Sequence, residues 1–224
     1  MSTFSDPDTV SCYAEMAERN VPALRDLHRM VSILLGERVS SDGRVLVLGA
    51  GGGLELRAMA RLNPGWSFDG VDPSPQMLDQ ARAVTHDFAD RITLHEGYIE
   101  EAPDGPFDGA TCLLTLHFLP REDRARTLKE ICRRLRPGAP LAIVHHSFAN
   151  DDAGKDKWLA RFAKFIATSE MGDAGNRINV EAMKERLPVL SPEQDVSTLQ
   201  DAGFSQVDLF YAALTFRGWV AYRT

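Results

Sequence analysis

Near the amino terminus apolar residues recur at three- and four-residue spacing. Val21, Leu24, Leu27, Met30, Val31, Leu34 and Leu35 follow that rhythm, which predicts a helical cap over about Asp8–Arg38 with Pro22 in a first helical turn. The SSDG stretch ends it. Short apolar runs at Arg44–Leu48, Trp66–Val71, Arg91–His95, Phe107–Leu114 and Leu141–Val144 then read as strands. Between them, Leu54–Leu62, Pro75–Phe88 and Arg121–Leu135 read as helices, the second opened by Ser74 as N-cap with Pro75 just inside. Strand alternating with helix across short loops predicts a parallel sheet covered on both faces.

After Phe148 the rhythm changes. Asp156–Thr168 predicts a helix with Trp158, Leu159, Phe162, Phe165 and Ile166 on or near one side. MGDAGN reads as a loop, and Val180–Leu187 and Pro192–Ala202 as further helices. Gln206–Ala212 and Leu214–Tyr222 are joined by too short a link for parallel pairing and must form an antiparallel hairpin. The expected fold is therefore α/β, a three-layer Rossmann-like sandwich. It has a mostly parallel seven-stranded sheet, an antiparallel C-terminal hairpin, a helical N-terminal cap and a helical insert before the last strands. One domain is expected over residues 1–224: cap 1–40, ligand-binding core 41–150, insert 151–190, C-terminal helix and hairpin 191–224.

Composition changes this picture little. The 224 residues are 44% hydrophobic and 25% charged, the balance of an ordinary globular chain. A net charge of −7 argues against broad binding to nucleic-acid backbones but leaves room for a local basic patch. Cys12, Cys112 and Cys132 show no CxxC spacing, so no zinc site or disulfide framework is expected. A reducing cytoplasm fits. The first residues lack a signal-peptide pattern and no run reaches the roughly 18 apolar residues of a membrane span.

The candidate chemistry starts at VLVLGAGGG. Gly49, Gly51, Gly52 and Gly53 end the first strand, where glycine lets a ligand approach the backbone and the next helix offers free N–H groups to an anion. Asp72 ends the second strand, placed to accept hydrogen bonds from a ribose. In an open parallel sheet, ligands bind beyond the carboxyl ends of such strands. The dinucleotide fingerprint fails, because its third glycine would fall on Leu54 or Leu56. The spacing is G-x-G-x-G instead.

With the acid after strand two, the strand–helix rhythm and the closing hairpin, the chain resembles the class I S-adenosylmethionine-dependent methyltransferases over about residues 40–222. The resemblance implies S-adenosylmethionine as cofactor, S-adenosylhomocysteine as product and methyl transfer to a small molecule. It sets Gly49, Ala50, Gly51 and Gly53 against the methionine part, Asp72 on the ribose, and Pro73, Ser74, Met77, Gly97, Tyr98 and Ile99 around the adenine. Leu114, Thr115, Leu116 and His117 would lie between cofactor and acceptor. Two positions depart from the pattern: Val47 and Tyr98 stand where the family usually has acids, and Glu55 and Glu100 are nearby candidates to compensate.

A looser, nearly full-length likeness runs through NVPALRDLHRM, TLHFLPREDR and DAGFSQVDLFYAALTFRGWVAYR. It is to the carboxy-S-adenosylmethionine synthases of tRNA wobble-uridine modification, which implies a positive group for a carboxylated cofactor, with Arg177 and Arg186 as candidates. A third reading is a non-catalytic cofactor-binding or interaction protein, suggested by Val47 and Tyr98.

Methyl transfer from a sulfonium needs a base only if the acceptor must first lose a proton. His117, past strand four, and His145 and His146, ending strand five, are the candidates for a catalytic or acceptor-orienting role; burial as packing residues is the alternative. Neighbours on a strand point to opposite faces, so at most one of His145 and His146 faces the pocket. No third ligand completes a metal site with them. Tyr13 and Met16 in the cap could cover the cofactor, and Trp158, Arg161 and Phe162 in the insert, with Phe165, could line the acceptor pocket. The arginines of Arg121–Arg136 read as a solvated face. A homodimer through the cap or insert is compatible with the pattern.

Overall fold

Alternation within the first strand sets the layering. In the computed structural model, which describes residues 13–168 and 180–224, β1 (Arg44–Leu48) sends Val45 and Val47 into one core and Leu46 and Leu48 into another. The remaining strands are β2 (Ser67–Asp72), β3 (Ile92–Glu96), β4 (Gly109–Leu113), β5 (Pro140–His146), β6 (Phe204–Ala213) and β7 (Phe216–Arg223). They form a seven-stranded sheet in the order β3-β2-β1-β4-β5-β7-β6. The first five are parallel; β7 runs antiparallel to both β5 and β6. The order reverses between β1 and β4, which opens a crevice at their carboxyl ends.

The helices are α1 (Tyr13–Asn20), α2 (Leu24–Gly36), α3 (Leu54–Leu62), α4 (Pro75–Val84), α5 (Arg121–Arg134), α6 (Asp152–Ala167), α7 (Val180–Arg186) and α8 (Pro192–Asp201). Leu27, Val31 and Leu35 of α2, Leu56 and Met59 of α3 and Phe162 and Ile166 of α6 pack on the Val45–Val47 face. Leu128 and Ile131 of α5 and Leu199 of α8 pack on the other, with Trp219 from β7. Local chemistry starts these helices as expected. Ser74 caps α4 and accepts the Met77 N–H at 3.3 Å, and Ser191 and Gln194 form a reciprocal cap on α8. None of the described helices is long and apolar enough to cross a membrane.

Three expectations are corrected. The helical pattern of the cap is interrupted: among the described residues α1 and α2 are separate helices, Ala23 between them adopts a left-handed backbone (φ 53°), and Pro22 precedes α2 rather than opening its first turn. Proline has no N–H to extend α1, and its carbonyl instead accepts the Tyr211 hydroxyl at 2.6 Å. Strand β5 is longer than its apolar run, because β7 pairs with it from Pro140 to His146. The arginine-rich helix is not uniformly solvated, since Arg124 and Arg134 are buried. MGDAGN and Arg177 lie outside the described residues.

Candidate functional site

The glycine loop is folded by its own backbone. Gly49 and Ala50 donate their N–H groups to the Val71 carbonyl at 2.9 and 3.0 Å, which binds the loop to the end of β2. Gly49 (φ 75°) and Gly51 (φ 49°) occupy left-handed backbone. A Cβ at Gly49 would collide with the Thr115 hydroxyl, and one at Gly51 would lie 3.2 Å from the Tyr13 hydroxyl. Asp72 completes the loop: it accepts from Gly51 N–H and from Ser74 N–H, each at 2.9 Å. Each of its oxygens keeps another lone pair for a ligand. Burial raises the Asp72 pKa, partly offset by these two N–H donors.

A cleft of about 620 Å³ opens over this loop, within the range of small-molecule and cofactor sites. Gly49, Gly51, Asp72, Pro73, Ser74, Met77, Gly97, Tyr98, Ile99, Leu114, Thr115 and Tyr13 all line it. Sequences from five separate segments thus converge where the strand order reverses. Ala50 and Gly53 lie behind the loop: Ala50 is buried in the core, and Gly53 packs against Ala81 of α4. Leu114 holds a left-handed backbone (φ 58°), a strained state for a branched side chain, while its N–H donates to Val144 O at 2.6 Å. The outer wall comes from Phe118, Leu119, Asp123, Arg126 and Thr127, at and before the start of α5. The sequence pattern gave these residues no role, because a charged amphipathic helix carries no local sign of which turn borders a cleft.

The histidines lie elsewhere. His117 is buried beside the cleft wall and does not line it; its ring centroid is 4.7 Å from that of His146. His146 stacks on Phe216 at 4.1 Å, meets Phe162 edge-on, and its Nδ1 lies 2.9 Å from Thr215 Oγ1. His145 points to the opposite face, beside Trp219, with Nε2 3.2 Å from Asp195 Oδ1. The two neighbours diverge as strand geometry requires, and neither lines the cleft: Phe162 and Phe216 pack against His146, and Trp219 and Asp195 against His145. Desolvation drives the His146 pKa down to about 3 and the His117 pKa well below its usual value, so both rings are neutral. The expectation that His117 faces the reaction centre is corrected on this ground.

The insert residues are also outside the cleft lining. Phe162 belongs to the core, while Trp158 carries the Arg161 guanidinium 4.8 Å above its ring and that of Arg217 at 5.5 Å. Arg186 is exposed on α7 and does not line the cleft. Behind the histidines, Arg124 is fully buried, bonded to Asp195 Oδ1 at 2.7 Å and to Pro188 O at 3.0 Å. This ion pair joins α5 to α8, and sequence separation of 71 residues hid it. Among the described residues no group of three metal-ligating side chains is placed to hold an ion.

Beside the cleft lies a side pocket of about 20 Å³, sharing Tyr13, Gly49, Leu113 and Leu114 with it and adding His28 and Glu55. Glu55 is only 7% exposed, and its Oε1 has no hydrogen-bond partner. The cradle of positive-φ glycines, the acid at the end of β2 and this orphaned carboxyl oxygen fit a ligand that joins a nucleoside to a cationic amino acid.

Residues 45–138 match the family model described as a methyltransferase domain. Carboxy-S-adenosyl-L-methionine synthase from Chromohalobacter salexigens is 26% identical over 223 residues, covering 97% of this chain and 82% of that protein. Among solved structures, an O-methyltransferase family protein from Burkholderia thailandensis is similar with a TM-score of 0.63 at 18% identity, covering 90% of this chain and 57% of that one. Human N-acetylserotonin methyltransferase in complex with S-adenosylmethionine matches with a TM-score of 0.63 at 17% identity, covering 99% of this chain and 60% of that one. This chain therefore spans three-fifths or less of those two solved chains. The chain is thus similar to the methyltransferase-domain family over residues 45–138 and shares the Rossmann-like fold of these solved methyltransferases.

Proposed function

We propose that this protein binds S-adenosylmethionine in the cleft over Gly49–Gly51 and transfers its methyl group to a small-molecule acceptor. The observation that carries the reading is the convergence of the glycine loop, Asp72 and the Gly97–Ile99 turn on one cleft at the switch in strand order. When bound, the cofactor supplies an electrophilic methyl group on sulfur. The protein's part is to bind, orient and exclude water. Asp72 accepts from the ribose hydroxyls while its two backbone donors keep it in place. Met77, Ile99 and Leu114 supply apolar walls. Tyr13 closes the cap side. Its pKa is pushed up to about 12, first by burial and then by the charges of Glu55 and Asp72, so its hydroxyl serves as a donor and not a base.

A second reading is that the cleft takes or makes the carboxylated cofactor. The full-length likeness to carboxy-S-adenosylmethionine synthase favours it. The described cleft wall supplies one arginine for such a carboxylate, Arg126, which is 2.9 Å from Asp123. Mass spectrometry of small molecules released from the denatured, purified protein separates the two. S-adenosylmethionine or S-adenosylhomocysteine is the expected result; the carboxylated form would transfer the assignment to the second reading. An empty protein that also fails to bind added S-adenosylhomocysteine would defeat both.

A further inference from the structure

Glu55 presents an energetic problem that the fold leaves unsolved. It sits in the first turn of α3, its side chain is buried, and Oε1 has no partner. A buried polar atom without a partner is costly, and native structures keep few of them. Each neighbouring element contributes a group, and none of those buried beside Glu55 is a cation at neutral pH. Tyr13 of α1 stays a phenol. His28 of α2, its pKa lowered by burial to about 4, is neutral. Thr111 of β4 supplies a hydroxyl, and Cys112 a thiol whose pKa is pushed up first by burial and then by Glu55. Asp72 of β2 is a further acid across the loop, and Arg57 on α3 itself is exposed to solvent. Val47, opposite Thr111 in the β1–β4 pair, carries no charge.

The side pocket that Glu55 lines opens beside Gly49, and at about 20 Å³ it has room for one water or one small polar group. It shares four wall residues with the main cleft, so a group entering it can belong to a larger ligand lying over the glycines. A primary ammonium carried on a larger ligand fits that volume and can donate a hydrogen bond to the unpaired Oε1. We propose that this pocket is the ammonium site of the cleft, that Glu55 is the counter-ion, and that Glu55 gives up a proton when the ammonium arrives. The proposal rests on the reading of the cleft as an S-adenosylmethionine site. Burial, only partly opposed by the Thr111 hydroxyl, raises the Glu55 pKa to about 8, so the empty protein holds the acid neutral and the proton is there to be released.

The test is isothermal titration calorimetry of the full chain at pH 6.5, with S-adenosylhomocysteine, in two buffers of different ionisation enthalpy. 5′-Methylthioadenosine, the same nucleoside thioether without the amino acid, is the second probe. S-adenosylhomocysteine should release about 0.9 proton per molecule bound, from a carboxyl whose pKa starts near 8, and 5′-methylthioadenosine should release almost none. Glu55→Gln should abolish the release and weaken S-adenosylhomocysteine tenfold or more, while leaving 5′-methylthioadenosine unchanged. The proton count on the unaltered protein stands even if the variant folds poorly. Binding of S-adenosylhomocysteine with less than about 0.2 proton released, or equal effects of Glu55→Gln on the two ligands, overturns the proposal. If neither ligand binds the unaltered protein, the cofactor reading itself falls, and this inference with it.

Discussion

Glu55→Gln should stabilise the ligand-free protein, and the gain should grow with pH. In the folded chain the Glu55 pKa is raised to about 8; in the unfolded chain it returns to an ordinary 4.5. A folded-state pKa above the unfolded one means that the folded protein binds the extra proton. Its contribution is fully present below pH 4.5 and is lost progressively as pH rises to 8. Each unit in that window removes up to about 1.36 kcal/mol. Between pH 5 and pH 7 the unaltered protein should therefore lose about 2.5 kcal/mol relative to Glu55→Gln, because unfolding ionises the acid and folding must reprotonate it. Glutamine has its own burial cost, but that cost does not change with pH and cancels in the difference. Denaturant unfolding of both proteins at pH 5, 6, 7 and 8, without ligand, measures it; in a chain of this size the same gap moves Tm by roughly 5–10 °C. A stability difference between the two proteins that stays flat across these pH values would refute the reasoning, since it would mean that Glu55 is ionised in the folded protein. A stabilising substitution that cripples ammonium recognition is what a binding site held in a strained empty state should produce.

Asp72→Asn should weaken S-adenosylhomocysteine by at least about tenfold in calorimetry, since it removes the charge that accepts from Gly51, Ser74 and the ribose. Gly51→Ala places a Cβ 3.2 Å from the Tyr13 hydroxyl at a left-handed position, and should abolish binding while circular dichroism still reports the sheet. Asp195→Ala strands the buried Arg124 charge and should cost about 3–5 kcal/mol; adding Arg124→Leu should recover much of it in the same unfolding assay. His28 has its folded pKa depressed to about 4. Its contribution is complete above the unfolded value of 6.5 and is lost as pH falls toward 4, about 2 kcal/mol by pH 5. A His28→Leu variant should show a correspondingly flatter acid limb, and an unchanged limb would count against neutral burial of this ring.

Much of this protein was written in short-range patterns. The alternation of apolar runs and amphipathic stretches determined a parallel sheet covered on both faces, because periods of two and 3.6 residues are local properties of the backbone. VLVLGAGGG and Asp72 marked the cleft for the same reason: a glycine loop at a strand's end and an acid at the next are each read within a few residues, and the parallel pairing of β1 with β2 brings them together. What tertiary structure alone decided is which side chains lose water. Phe162 and Phe216 buried His146, and Trp219 and Asp195 buried His145, although both histidines end a strand that points at the cleft. Arg124 looks like any helix-surface arginine until α8 covers it. Glu55, one more acid in a helix's first turn, became a buried acid with one unpaired oxygen behind the glycine loop only when α1, α2 and β4 closed around it. Desolvation depends on every element packed against a residue, and elements distant in sequence leave no trace in the pattern around it.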